Sequence, residues 1–175
     1  MGVKKPIIGI VSGSTSDFLS LEDAMSALDE LQIPYSLDVK SAHRLPNDME
    51  IYAKDAGKKG LKVIIAAAGG AVDLTGMIAA HTIIPVIGLP IKSNDLNGMD
   101  SLLSMVQMPN GIPVGVMGIG RGKNAALYAA QILAISDKGL GERLMKFRER
   151  MRDSTRTNAR KEILKKAKSH PYLSV

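Results

Sequence analysis

Short apolar runs alternate with longer amphipathic segments along the first 136 residues of the chain. Each run is followed by a small or polar loop, and then by a segment whose apolar residues recur every three or four positions. This pattern predicts five repeats of strand, loop and helix. The predicted strands are residues 7–11, 35–40, 62–68, 85–91 and 113–119.

The predicted helices fill the intervals between these strands. The first and fifth cover residues 17–31 and 124–136, and the third is a small-residue helix that follows the paired glycines and runs through Met77 and Ala80. The second begins at Asn47, a plausible N-cap, and ends near residue 57 or 60, and the fourth spans residues 100–106.

The strands are apolar without strict alternation, which is typical of strands buried on both faces. Strands that alternate with helices indicate an α/β fold, a three-layer sandwich with a central parallel sheet covered by helices on each side. Right-handed crossovers place every strand-to-helix loop at the carboxyl edge of such a sheet, where ligands bind. These loops are residues 13–17, 41–44, 69–73, 93–98 and 120–123.

The net charge of +6 is concentrated at the C-terminal end of the chain. Residues 142–169 contain eleven Lys and Arg against four Asp and Glu. We therefore divide the chain into an α/β domain, residues 1–138, and a basic C-terminal helical extension, residues 139–175. The extension is expected to form one long helix or a pair of helices that packs on the domain or on a neighbouring subunit.

Composition narrows the possible functions. Cysteine is absent, so thiolate metal sites, a cysteine nucleophile and disulfides are excluded. His43, His81 and His170 are widely separated, which predicts no metal site. Aromatic residues make up 3%, too few to interleave the basic extension with stacking platforms, so no nucleic-acid partner is expected. No apolar run reaches bilayer length and no secretory leader is present, so we expect no membrane partner and a cytoplasmic location.

The loop after the first strand offers backbone N–H groups and hydroxyls at a helix N-terminus. Ser14 and Ser16 suit a phosphate, and Asp17 could accept hydrogen bonds from ribose hydroxyls. The alternative is that Ser16 or Asp17 only caps the helix.

The second loop joins a proton carrier to an anion-binding group. Ser41 is a candidate substrate-binding residue, and the His43 imidazole can carry a proton near neutral pH. The Arg44 guanidinium can bind a phosphate or carboxylate through two hydrogen bonds. The alternative is an ordinary surface loop with two solvated side chains.

The third loop begins with paired glycines and ends with a carboxylate. Gly69 and Gly70 allow a close backbone approach to a ligand, or tight packing of strand against helix. Asp73 is a candidate ligand-binding group, or else the N-cap of the next helix.

With these residues in place, the chain closely resembles the phosphoribosylaminoimidazole carboxylase catalytic subunits, a family that includes the 5-(carboxyamino)imidazole ribonucleotide mutases. The matching motifs occur in the family's order between residues 6 and 137. They are GSTSD at 13–17, SAHR at 41–44, AGGA at 68–71, GMIAA at 76–80, GMDSL at 98–102, VQMPNGIPV at 106–114 and NAA at 124–126.

The resemblance implies a flavodoxin-like fold, a homo-octamer with sites at subunit contacts, and no metal or organic cofactor. The implied reaction moves a carboxylate from the exocyclic amine of a ribonucleotide substrate to ring carbon four, in purine synthesis. The family's general acid/base histidine matches His43, and its substrate-binding positions match Ser14, Asp17 and Arg44. By the same resemblance, Gly69 and Gly70 would line the carboxylate pocket.

Two alternatives stay open on the sequence. Direct carboxylation of aminoimidazole ribonucleotide by carbon dioxide is one, although the animal-type carboxylases carry lysine where this chain has Arg44. The other is a degenerate family member that binds a nucleotide or scaffolds an assembly without activity. It is suggested by Asp73, which stands where many bacterial members have histidine.

Overall fold

The computed structural model describes residues 5–170 and 172–173, and it confirms the α/β architecture. Five parallel strands form one sheet in the order β2-β1-β3-β4-β5. The strands are β1 (Ile8–Ser12), β2 (Tyr35–Val39), β3 (Val63–Ala68), β4 (Val86–Pro90) and β5 (Gly115–Val116). The helices are α1 (Phe18–Glu30), α2 (Pro46–Asp55), α3 (Leu74–His81), α4 (Met99–Val106), α5 (Gly122–Ala134) and α6 (Lys138–Ala167).

The three central strands are buried along their whole length, as their unbroken apolar sequences predict. One hydrophobic core lies between the sheet and α1, α5 and α6, and a second lies between the sheet and α2, α3 and α4. Successive side chains of each strand enter opposite cores, so that Ile8 and Ile10 face the first and Val11 faces the second. The result is the three-layer sandwich that the sequence predicts.

Two local predictions are wrong. The fifth strand was expected over residues 113–119, but only Gly115–Val116 pairs as a strand. This edge strand has only β4 as a neighbour, contains glycine, and follows a proline that lacks an N–H. Each of these features limits the number of hydrogen bonds between the two strands. The second helix begins at Pro46, with Leu45 at its N-cap, and Asn47 lies inside it. Proline is favoured at the first helical position because the N–H it lacks has no partner there.

The basic extension forms a single helix of 30 residues, α6, whose start is fixed by Asp137. The Asp137 carboxylate accepts the backbone N–H of Leu140 at 2.9 Å. Leu140, Leu144 and Phe147 are buried in the first core. Each residue from 148 to 166 is exposed. The first half of α6 therefore packs on the domain, whereas the division of the chain at residue 138 stays a prediction.

Two contacts attach α6 to the end of α1. Arg143 donates from Nε to the Leu31 carbonyl at 2.9 Å, and Arg150 pairs with Glu30 at 2.7 Å. Within residues 5–170 and 172–173, none of the helices has the length and apolar content required to cross a membrane.

Candidate active site

The strand order places a cleft at the carboxyl edge of the sheet. The connection from β1 leads outward to β2, whereas β3 lies on the other side of β1, so the chain reverses direction across the sheet at β1 and β3. A cleft of about 670 Å³ opens at this point. Its lining comes from the loops after β1, β2, β3 and β4, and includes Ser14, Ser16, Asp17, Ser41, His43, Arg44, Gly69, Gly70, Lys92, Ser93 and Asn94.

The loop after β1 is organised by a buried serine at the end of the strand. Ser12 accepts the N–H of Ser14 at 3.1 Å and donates to Asp17 Oδ2 at 2.8 Å. Asp17 is buried, and its side chain does not cap α1. Ser14 caps only the short 3-10 turn Thr15–Asp17 that precedes α1, where its hydroxyl accepts the N–H of Ser16 at 3.3 Å. Asp17 thus occupies the N-cap position of α1, as one alternative had it, but its carboxylate accepts from Ser12 and not from the helix N–H groups. Ser16 is not the cap.

The loop after β2 is tied to the loop after β1 through Arg44. The guanidinium donates from Nη2 to the Gly13 carbonyl at 3.3 Å and from Nε to Ser41 Oγ at 3.4 Å. Ser41 is buried and also accepts the backbone N–H of Arg44, at 3.2 Å. The guanidinium has five N–H groups, so most of its donors are available to an anion in the cleft.

The loop after β3 is held from behind by two serines of α4. Gly70 donates its N–H to Ser101 Oγ at 2.9 Å, and Val72 donates to Ser104 Oγ at 3.3 Å. Gly70 has φ +73°, a left-handed conformation that glycine adopts without strain. A Cβ on Gly69 would meet Ile91 at an ordinary 3.5 Å, so tight packing does not explain the glycine pair.

His43 and Asp73, 30 residues apart in sequence, meet at this edge. His43 Nε2 lies 2.5 Å from Asp73 Oδ2, and the two side chains are 59% and 64% exposed. Asp73 occupies the N-cap position of α3, but its carboxylate accepts none of the helix N–H groups. The capping interpretation is therefore right about the position of Asp73 and wrong about its side chain.

Sequence reasoning omitted the loop after β4 from the candidate residues, although Lys92, Ser93 and Asn94 line the cleft. Ser93 donates to Asp100 Oδ1 at 2.6 Å and accepts the N–H of Gly98 at 3.1 Å. This hydrogen bond from Ser93 lowers the pKa of Asp100 below its usual value. The available signal was the position of the loop, directly after a buried strand.

The fifth predicted edge loop does not line the cleft. Residues 120–123 follow β5, which is the edge strand farthest from β1 and β2 in the sheet. Strand order, which sequence does not reveal, decides this. Among residues 5–170 and 172–173, no three His, Asp or Glu side chains gather as a metal-binding group.

A larger cavity of about 1040 Å³ lies at the opposite edge of the sheet. It is lined mainly by apolar residues from the start of β4 and the region before β5, together with the half-buried His81. His81 therefore forms part of a cavity wall away from the cleft that contains His43. Lys54 and Lys58, on its rim, pair with Glu50 and Asp55. The side chains predicted to bind substrate or transfer protons, such as His43 and Arg44, lie in the smaller cleft.

Comparisons with family models, protein sequences and solved structures all identify the same family. A family model described as AIR carboxylase matches residues 7–154. The N5-carboxyaminoimidazole ribonucleotide mutase of Bacillus subtilis is 53% identical over 147 residues, which cover 83% of this chain and 91% of that protein. The mutase of Haemophilus influenzae is 54% identical over 144 residues, covering 81% of this chain and 88% of that one.

A longer relative and a solved structure extend this comparison. The phosphoribosylaminoimidazole carboxylase of Schizosaccharomyces pombe is 46% identical over 151 residues, 86% of this chain but 27% of that protein. The crystal structure of Treponema denticola PurE matches with a TM-score of 0.76 and 28% identity, covering 93% of this chain and 98% of that one. Family model, identity and fold agree: the chain belongs to the AIR carboxylase family.

Proposed function

We propose that this protein is a 5-(carboxyamino)imidazole ribonucleotide mutase, an isomerase of purine biosynthesis. The observation that carries this is the convergence of His43, Arg44 and the hydroxyl loop of Ser14 in one cleft, in a chain whose mutase relatives are 53% and 54% identical. A proton carrier, a fixed cation and a phosphate-sized loop are the groups that a carboxylated ribonucleotide requires.

Arg44 binds the phosphate in this proposal, and the loop after β1 binds the phosphate and ribose. Arg44 is already fixed by Gly13 and Ser41, so little side-chain entropy is lost on binding. Ser14 and Ser16 contribute hydroxyls, and the Asp17 carboxylate, held by Ser12, accepts from the ribose. The paired glycines present backbone to the migrating carboxylate.

His43 moves the proton in both halves of the reaction. It donates a proton to the exocyclic nitrogen as the bond from that nitrogen to the carboxylate carbon breaks and carbon dioxide is released. Ring carbon four then attacks carbon dioxide, and His43 takes the proton from that carbon. The carboxylate has moved from nitrogen to carbon and one proton has moved the other way, so the enzyme returns to its starting state.

A second candidate function is direct carboxylation of the uncarboxylated ribonucleotide by carbon dioxide. It is supported by the Schizosaccharomyces pombe relative, which is named a phosphoribosylaminoimidazole carboxylase. The discriminating experiment offers the purified protein the carbamate substrate, and separately the uncarboxylated ribonucleotide with bicarbonate. We expect fast turnover of the first alone. Turnover of the second at low bicarbonate would support the carboxylase. Binding without either reaction would leave a non-catalytic nucleotide-binding role.

Assembly into a cytoplasmic homo-octamer is part of the same proposal. In one chain the His43 side chain is 59% exposed, yet carbon dioxide must be kept from escaping until ring carbon four attacks it. Large apolar side chains also face solvent on one chain, with Leu19 at 86%, Ile83 at 103% and Ile135 at 87% exposure. A neighbouring subunit would cover both. Light scattering of the purified protein should give eight times the mass of one chain.

Arg44→Ala should weaken ribonucleotide affinity about 10-fold to 100-fold, since a hydrogen bond to a charged group contributes about 1.5–3 kcal/mol. Titration calorimetry with the uncarboxylated ribonucleotide measures this. Arg121→Ala is the matched control, because Arg121 is exposed at the same sheet edge but outside the cleft lining. Equal affinity in wild type and Arg44→Ala would refute the phosphate assignment.

A further inference from the structure

The contact between His43 and Asp73 suggests how the proton carrier is oriented. The two loops follow β2 and β3, which are not neighbours in the sheet, so the contact bridges the loop after β1. We propose that Asp73 is a positioning residue: its carboxylate holds the proton on His43 Nε2 and leaves Nδ1 as the nitrogen that exchanges a proton with the substrate. The catalytic part of this inference rests on the proposed mutase function.

The assignment follows from the hydrogen-bonding capacity of the two groups. An ionised carboxylate only accepts, so at a separation of 2.5 Å the Nε2 atom must be the donor. A neutral imidazole carries one N–H, and Nδ1 therefore has the lone pair. In the proposed reaction the imidazolium gives its Nδ1 proton to the exocyclic nitrogen while Nε2–H stays on Asp73. Nδ1 then takes the proton from ring carbon four, which restores the starting imidazolium. A carboxylate orients the histidine of a catalytic triad by the same principle.

The backbone around Asp73 is fixed well enough for this role. Gly70 and Val72 donate to Ser101 and Ser104 of α4, and the Asp73 carbonyl accepts the N–H of Met77 at 2.9 Å in the first turn of α3. The loop is thereby attached to two helices. The Asp73 carboxylate does not cap α3 and is therefore available to accept the hydrogen bond from His43.

The contact has little value as a stabilising ion pair. Both side chains are more than half exposed, so water screens the pair and it adds little to stability. Its effect is on orientation, because it selects one tautomer and one ring position before substrate arrives. That separates this role from direct binding of the substrate amine, in which Asp73 would change affinity.

Two measurements on the full-length protein test the proposal. Proton NMR of 15N-histidine-labelled protein, without substrate, should show a downfield ring N–H signal coupled to Nε2 in wild type. The signal should vanish in Asp73→Ala, and its loss in His43→Asn assigns it. In turnover of the carbamate substrate, Asp73→Ala should lower kcat about tenfold or more while KM changes less than about threefold. Asp95→Ala, an exposed carboxylate outside the cleft lining, should leave both readouts unchanged.

Each other outcome overturns the proposal in a defined way. If the ring signal is absent from wild type, the pairing is wrong. If Asp73→Ala raises KM and leaves kcat unchanged, Asp73 binds substrate directly and does not position His43. If wild type turns over no carbamate, the mutase function and the catalytic part of the inference both fail, while the ring signal still reports the pairing independently.

Discussion

His43→Asn should reduce turnover of the carbamate substrate by about 100-fold to 10,000-fold, the range that a positioned general acid/base contributes. The asparagine amide can still donate a hydrogen bond to Asp73, so the loops keep their contact, but it cannot take or give a proton near neutral pH. Affinity for the uncarboxylated ribonucleotide should stay within about threefold of wild type, because binding is assigned to Arg44 and the loop after β1. Steady-state kinetics and calorimetry measure the two effects.

His81→Asn is the matched control for this substitution. His81 is half-buried at the end of α3 and lines the cavity at the opposite edge of the sheet, so its loss should leave turnover unchanged. Full activity in His43→Asn would remove the proton-transfer role. A parallel loss of ribonucleotide affinity would instead place His43 among the binding groups.

A chain ending at Ser136 should fail to fold cooperatively. It loses Leu140, Leu144 and Phe147, which are only 1%, 7% and 4% exposed and complete the first core. Removing one such side chain costs about 2–5 kcal/mol, so three together match the 5–15 kcal/mol of a typical domain. Thermal unfolding followed by circular dichroism should show a broad or missing transition.

A chain ending at Ser154 is the matched comparison, because the family match ends at residue 154 and each residue from 148 to 166 is exposed. Its free energy of unfolding should stay within about 0.5 kcal/mol of wild type, as for other surface changes. A normal transition in the chain ending at Ser136 would contradict the role given to the first half of α6. Loss of the oligomer in the chain ending at Ser154 would show that the second half of α6 crosses to a neighbouring subunit.

The position of His43 beside Arg44 shows how much of the site can be predicted from local sequence. A buried strand followed by a polar loop puts these side chains at the carboxyl edge of any parallel sheet, so their exposure to a ligand follows from sequence alone. The same reasoning reached the loop of Ser14 and the paired glycines. The alternative that Asp17 caps α1 is right about its position and wrong about its side chain, because the buried Ser12 hydroxyl donates to that carboxylate.

Residue pattern determined the α/β class, the number of strands, the helix positions to within a few residues, and the family motifs. These properties depend on neighbours in the chain, where strand and helix periodicities and turn residues act. Only the tertiary structure decided the strand order, the entry of Lys92 and Ser93 into the cleft, the exclusion of residues 120–123, and the packing of Phe147 on the domain. The pairing of His43 with Asp73 belongs with these, because contacts between residues far apart in sequence depend on which strands are neighbours, and no local preference encodes that choice.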